Sequence, residues 1–310
     1  MILITGGAGV LGRRITAALA KKGNNIRVLT LPGDPKADSL VSLGAEVCFG
    51  DITRPRTLEG ILEGVDTVIH LAAVILSPAR PGIFREVNLD GTRNILSLCE
   101  QSSIKHFIYI SSASVTYRKS NAYSRSKHAA EEMVKQLKIP HFTIVRPTLV
   151  YEDGGAEEFW KFVLYLKKFP VVPFIGKGTA LKSPVHADDI VQGLVKIPGN
   201  PVCCGKTYNF SGGEELPIKE MARRLLRHMG RDKFIIPVPV WICRLLSVIA
   251  TLKARIFKRD TQLTWQTITG LIQNANLDHS EARDDIGYNP RPFSKGIEDL
   301  KSLKGSLKKR

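Results

Sequence analysis

Short runs of β-branched and aromatic residues recur along the first 150 positions: "ILIT" at 2–5, "IRVLT" at 26–30, "EVCFG" at 46–50, "TVIHLAA" at 67–73, "HFIYISS" at 106–112 and "FTIVRP" at 142–147. Most are apolar throughout instead of alternating. Between them, apolar positions return with helical spacing, as in "LGRRITAALAKK", with Gly23 behind it as a stop, and in "DGTRNILSLCEQS". Continuous apolar strands, each followed by an amphipathic helix, predict a parallel sheet covered on both faces. Six such units predict a doubly wound α/β domain over residues 1–150. Its ligands would bind outside the carboxyl ends of the strands, where strand order reverses.

After residue 150 the pattern loosens. Helical spacing near 156–168, 218–229, 240–257 and 262–273 is mixed with strand-like "KSPVH" and "TYNFSG", and prolines and glycines concentrate around 170–217. Residues 151–302 therefore predict a smaller C-terminal lobe that closes over the carboxyl edge of the sheet and is reached by several chain crossings. Residues 303–310 read as a basic tail. No internal repeat is visible.

The chain has 310 residues and is 43% hydrophobic, enough for a real core. Lys and Arg number 45 against 29 Asp and Glu, a balance of +16. Such an excess suits nucleic acid, an anionic membrane surface, or an acidic substrate or cofactor. The clusters "RRLLRHMGRDK", "KARIFKR" and "KSLKGSLKKR" fall in the second half. No basic stripe with interleaved aromatics marks the first half, and DNA is not an expected partner; solvated faces and the tail account for the charge. The cysteines at 48, 99, 203, 204 and 243 have neither disulfide-module nor CxxC spacing, which points to a reducing, cytoplasmic compartment. The apolar N-terminus lacks a preceding basic region and soon reaches glycines, so it reads as a buried strand and not a signal peptide. The longest apolar stretch, "FIIPVPVWICRLLSVIATLKARIF", is broken by Pro237, Pro239, Arg244 and Lys253 and is not expected to span a membrane.

"TGGAGVLG" follows the first strand and opens the first helix, where a glycine fingerprint has meaning. Gly6, Gly9 and Gly12 permit the tight turn, the approach of backbone N–H groups to a pyrophosphate, and close packing of helix on strand, with Val10 and Leu11 at the helix start. This predicts dinucleotide binding. The acidic residue that grips the ribose 2′-OH of NAD is expected at the end of strand 2, and that place holds Thr30 and Leu31, with Asp34 later in a turn. Without the carboxylate a 2′-phosphate is not repelled, and Arg13 is a candidate partner for it, so NADP is favoured over NAD. Arg13 and Arg14 also fit a solvated helix face. By position, Asp51 would meet the adenine with Ile52 beneath it, and Leu71, Ala72 and Ala73 would end strand 4 against the cofactor.

"YSRSK" places Tyr123 and Lys127 on one face of a helix, just after the serine-rich "ISSAS". A cation beside a phenol lowers its pKa from ~10 toward the range of general acid/base catalysis. Taken alone the spacing is cheap. His186 in "SPVHADD" has no second ligand at metal spacing and reads as structural, and Asp188 and Asp189 suit the first turn of a helix.

"TGGAGVLG", "GDIT", "HLAA", "VNLDGTRNIL", "YISSAS", "YSRSK" and "VRPTLVY" occur in the order and spacing of the extended short-chain dehydrogenase/reductases. The chain resembles that family, which includes NAD-dependent epimerase/dehydratases and 3β-hydroxysteroid dehydrogenase-like enzymes. "SPVHADDIVQGL", "YNFSGGE" and "ARDDIGYNPRPFSKGIEDL" resemble its C-terminal segments. The resemblance implies a Rossmann-like domain with a smaller substrate-binding lobe, and a set of roles. Tyr123 would be the general acid/base. Lys127 would lower its pKa and hold the nicotinamide ribose, and Ser112, with Ser111 and Ser114 as near neighbours, would hydrogen-bond the substrate oxygen. Asn88 matches the asparagine of the family's "NVxGT" segment, and Pro147 and Thr148 fall where its backbone touches the nicotinamide. A homodimer through helices near 83–102 and 121–138 is also implied.

Residues 113–122 are a shorter connection between serine and tyrosine than nucleotide-sugar epimerases carry, and "SVTYRK" lacks their "VYG" glycine. Both departures count against a sugar-nucleotide substrate and leave the hydride chemistry intact. Residues 240–257 place Trp241, Leu245, Val248, Ile249 and Leu252 at helical spacing near Arg244 and Lys253. That is either a core helix of the small lobe or an apolar helix lining a lipid-like pocket or dipping into a membrane surface. The leading expectation is an NAD(P)-dependent oxidoreductase acting on a hydrophobic secondary alcohol or ketone. A nucleotide-sugar epimerase or dehydratase that retains its cofactor stands second, and a non-catalytic RNA- or protein-binding relative third.

Overall fold

The computed structural model describes residues 1–75, 80, 82–256 and 265–305. Its centre is a seven-stranded parallel sheet: β1 Ile2–Thr5, β2 Ile26–Thr30, β3 Glu46–Phe49, β4 Thr67–His70, β5 His106–Ile110, β6 His141–Pro147 and β7 Lys206–Phe210, in the order β7-β6-β5-β4-β1-β2-β3. The order reverses between β1 and β4, which pair from Ile2–Thr67 to Thr5–His70 and open the crevice for a ligand at their carboxyl ends. Strands β1, β2, β4 and β5 are buried at every position, as continuous apolar runs between two helical layers require. The sequence pattern assigned "TYNFSG" to the smaller lobe. Its strand instead pairs with β6 from Lys206–Thr143 to Phe210–Pro147 and becomes the seventh strand.

The helices include α1 Val10–Lys21, α2 Ala37–Val41, α3 Thr92–Glu100, α4 Ala122–Lys135, α5 Glu157–Lys168, α6 Ala187–Leu194, α7 Ile218–His228, α8 Val240–Ile256 and α9 Trp265–Ile272. A π-helical segment, Phe84–Gly91, runs into α3. One face of the sheet packs Ile15 and Leu19 of α1 with Ile190 and Leu194 of α6. The other packs Ile95 and Cys99 of α3 with Ala130 and Val134 of α4 over Phe107 and Tyr109. A third cluster, around Phe159 and Val163 of α5, Leu225 of α7 and Phe293, forms the core of the smaller lobe. The expected basic tail from 303 begins inside a short helix, Lys301–Gly305, with Leu303 buried; 306–310 lie outside the described residues. The expected helix at 262–273 is described from Trp265 onward.

Helix α8 is turned the unusual way. Cys243, Ser247 and Ala254 face inward, while Trp241, Leu245, Leu246, Val248, Ile249 and Leu252 face outward. A helix that hides small side chains and displays large apolar ones is not the core element that its periodicity also allowed.

Candidate active site

The loop between β1 and α1 is built for close approach. Gly6 has φ +71°, and a Cβ there would stand 2.7 Å from the Ala72 nitrogen. A Cβ on Gly12 would stand 2.4 Å from the Gly6 carbonyl oxygen, so helix and loop touch backbone to backbone. Gly9 occupies the N-cap of α1, no side chain caps it, and the first turn holds no acidic residue. Its N–H groups, including those of Val10 and Leu11, are thus left to an anion, as a pyrophosphate requires. The residues present fit a dinucleotide.

At the end of β2 the fold builds what the sequence order concealed. Thr30 donates from Oγ1 to Oδ2 of Asp34 at 2.9 Å, and the Lys36 N–H donates to Oδ1 at 2.9 Å. The Pro32-Gly33 turn carries the carboxylate back to the strand end, beside exposed Leu31, so the missing acid on which the NADP expectation rests is present. Arg13 is exposed on α1. Its neighbour Arg14 pairs with Glu152 at 2.6 Å and with Asp188, pinning α1 to the second half of the chain. Asp51 is engaged by Thr53, accepting from its N–H at 2.9 Å and its hydroxyl at 2.8 Å. Ile52 is buried against Gly91. Leu71 and Ala72 back onto the glycine loop, the Leu71 N–H donating to the Thr5 carbonyl at 3.1 Å, with Ala73 continuing the same edge.

Ser112 follows β5, and Tyr123 and Lys127 lie on the first two turns of α4, whose start is fixed by a reciprocal Asn121–Ser124 capping box. The Ser112 hydroxyl donates to Ser114 Oγ at 3.0 Å and accepts from the Ser114 N–H at 3.2 Å, close enough to the Tyr123 phenol to act on its pKa. Burial raises the phenol's pKa above its ordinary value, Glu158 raises it further, and nearby Ser112 opposes both. Lys127 is buried, and its Nζ donates to the Ile110 carbonyl at 2.7 Å and lies 4.2 Å from the centre of the Tyr109 ring. Burial lowers its pKa to about 7 against the pull of Glu131. The expectation that Lys127 acidifies Tyr123 is therefore not met in this structure: the amine reaches back to the end of β5, and desolvation dominates both groups. Ser111 Oγ is buried and has no hydrogen-bond partner.

Asn88 is wholly committed. Its Oδ1 accepts from the Val74 N–H at 2.7 Å, and its Nδ2 donates to the Val74 carbonyl at 2.9 Å and to Ser126 at 3.2 Å, so it ties the segment after β4 to α4 instead of offering a group to a cofactor. Thr148 likewise bonds the Ser183 carbonyl through its hydroxyl, and Pro147 ends β6 opposite Phe210. His186 caps α6, accepting from the Asp188 N–H at 3.2 Å, and Asp189 is buried in an ion pair with Arg291 at 2.9 Å.

Glu158 went unnoticed in the sequence. It opens α5 in "GAEEFW", where no spacing marks it, yet its carboxyl acts on both Tyr123 and Tyr117. Its side chain is exposed, yet the protein packed around it desolvates the carboxyl, and with Glu157 beside it this raises its pKa to about 7. Lys182, also unmarked, is buried and donates to the Gly270 carbonyl at 2.6 Å, holding the end of α9. Asn121 reaches Thr269 of α9 at 3.0 Å, so α9 borders the site two residues from Tyr123.

Comparison with known proteins agrees with this geometry. A ceramide reductase of Caulobacter vibrioides is 33% identical over 202 residues, 65% of this chain, and the match spans 62% of that protein's length. A UDP-glucose 4-epimerase of Vibrio cholerae is 26% identical over 93% of this chain and 90% of its own. The crystal structure of a UDP-glucuronic acid 4-epimerase from Bacillus cereus, in complex with UDP-glucuronic acid and NAD, shares the fold with a TM-score of 0.75 at 21% identity, covering 99% of each chain. Residues 2–210 match the NAD dependent epimerase/dehydratase family, and the chain belongs to it, within the extended short-chain dehydrogenase/reductases.

Proposed function

We propose that the chain transfers a hydride between a nicotinamide dinucleotide and the carbinol or carbonyl carbon of an apolar alcohol or ketone, with Tyr123 moving the proton. The observation that carries this reading is the convergence of Ser112, just past the carboxyl end of β5, with Tyr123 and buried Lys127 on the first two turns of α4. When bound, the nicotinamide supplies or takes up the hydride. In reduction, Tyr123 gives its hydroxyl proton to the carbonyl oxygen, which becomes the alcohol; in oxidation the phenolate takes that proton back. A phenol raised by burial keeps its proton across neutral pH and releases it only to an oxygen gaining charge. Ser112 donates to the same oxygen and orients it. Lys127, with a pKa of about 7, is a proton source one helical turn away.

NAD is the better fit. Asp34, fixed by Thr30, would accept from the ribose hydroxyls and repel a 2′-phosphate. The apolar substrate is supported by the relative named a ceramide reductase and by the short 113–122 connection. A second reading, epimerisation of a sugar nucleotide, is favoured by the match to UDP-glucose 4-epimerase along 93% of the chain. An epimerase retains its cofactor through purification, whereas a reductase releases it each turnover.

The test is Tyr123→Phe against a panel of long-chain ketones with NADH. Turnover should fall roughly 10²–10⁴-fold while NADH affinity is kept. A variant as active as the parent, or a folded parent that oxidises NADH with no ketone, removes the reading.

A further inference from the structure

We propose that α8 and the strand preceding it form a docking face for an anionic lipid bilayer. Trp241 is 70% exposed, and Leu245, Leu246, Val248, Ile249 and Leu252 continue its face along the helix. The short strand Ile235–Val238 runs into α8 through Pro239 and adds Ile236 and, just before it, Phe234, which is 81% exposed. A convex apolar helix of this kind, with Trp and Leu outward, is suited to insertion at a headgroup boundary.

Charge selects the occupant. Helix α8 contains no acidic residue, and Arg244 and Lys253 stand exposed on it. Beside Phe234 opens a shallow cleft of ≈ 320 Å³ lined by Arg223, Arg227, Arg231 and Lys233, with Asp232 as the acidic member. Lys233 caps the end of α5 through the carbonyls of Leu166 and Phe169, which fixes the base of that cleft. A second copy on this face would bring these cations together under a net charge of +16, whereas an anionic headgroup layer neutralises them. Helix α8 packs on α9, which borders the site, so on the reading proposed above docking would set the site close to the layer that holds an apolar ketone.

The test uses the full chain and vesicles of phosphatidylcholine with or without 30% phosphatidylglycerol, read by sedimentation and by quenching of tryptophan with brominated lipid. We expect binding to the anionic vesicles at least tenfold tighter than to neutral ones. It should be weakened tenfold or more by Leu245→Glu with Ile249→Glu, and weakened also by Arg223→Gln with Arg227→Gln, with unchanged melting of the variants. Quenching of the unaltered chain decides the matter even where a variant fails to fold. Absence of vesicle binding by the folded chain overturns the proposal, as does equal binding to neutral vesicles. A lipid-free dimer that the Leu245/Ile249 variant dissociates would assign the face to a second copy instead. Neither readout needs turnover, so failure here leaves the catalytic reading standing, and the reverse.

Discussion

Helices α1 and α8 are both amphipathic, and they point opposite ways. In α1, Ile15 and Leu19 go into the sheet and Arg13 goes to solvent. In α8, Cys243, Ser247 and Ala254 go in, and large apolar side chains go out, each forgoing roughly 1.5–3 kcal/mol of burial. Hydrophobic spacing reveals that a helix has an apolar stripe; it does not reveal what the stripe faces. Where the stripe meets its own chain the helix is structural, and the α8 stripe, which meets nothing among the described residues, is the face proposed above for docking.

The contrast is most sharply tested by truncation. Leu19→Ala should cost roughly 2–5 kcal/mol in urea unfolding, because it leaves a cavity in a packed core. Leu245→Ala should stay within about 0.5 kcal/mol. Equal costs would mean that the α8 face is covered in the isolated protein, and the comparison would fail.

A smaller effect separates the buried sheet from its surroundings through pH. His70 is fully buried between Thr5 and Thr92, and burial lowers its pKa from 6.5 to about 3. The unfolded chain therefore binds a proton between these values that the native chain does not, and stability falls as pH drops below 6.5. This should remove roughly 2–3 kcal/mol between pH 6.5 and 4.5. His70→Asn should flatten that slope in urea titrations at each pH. An unchanged slope would assign the acid sensitivity elsewhere, His106, at about 4, being the next candidate.

Smallest is the cofactor choice. Asp34→Asn should shift the ratio of NADH to NADPH affinity about tenfold toward NADPH, ~1.4 kcal/mol, by fluorescence titration. No shift would remove Asp34 from the ribose site and restore Arg13 as the arbiter.

Much of this is legible in the amino-acid sequence alone. The apolar runs of β1 to β6 and the glycines between β1 and α1 carry their structural reason locally, in a few consecutive residues. The features that escaped depend on long-range return of the chain. Asp34 reads as a turn residue until Thr30 binds it, and "TYNFSG" joins the main sheet only because β6 offers a free edge. Glu158 meets Tyr123 from a different lobe, which no motif spacing records. Lys127 and Tyr123 are one turn apart as expected, but how the amine reaches, and what burial does to both pKa values, are properties of the packed site.

The most direct test of hydride transfer is a single turnover with NADH carrying deuterium at the transferable C4 position and a long-chain ketone, followed by mass analysis of the product. The account predicts one deuterium on the carbinol carbon for each cofactor oxidised. Product formed without the label, or substrate epimerised while the cofactor returns unchanged, would contradict it.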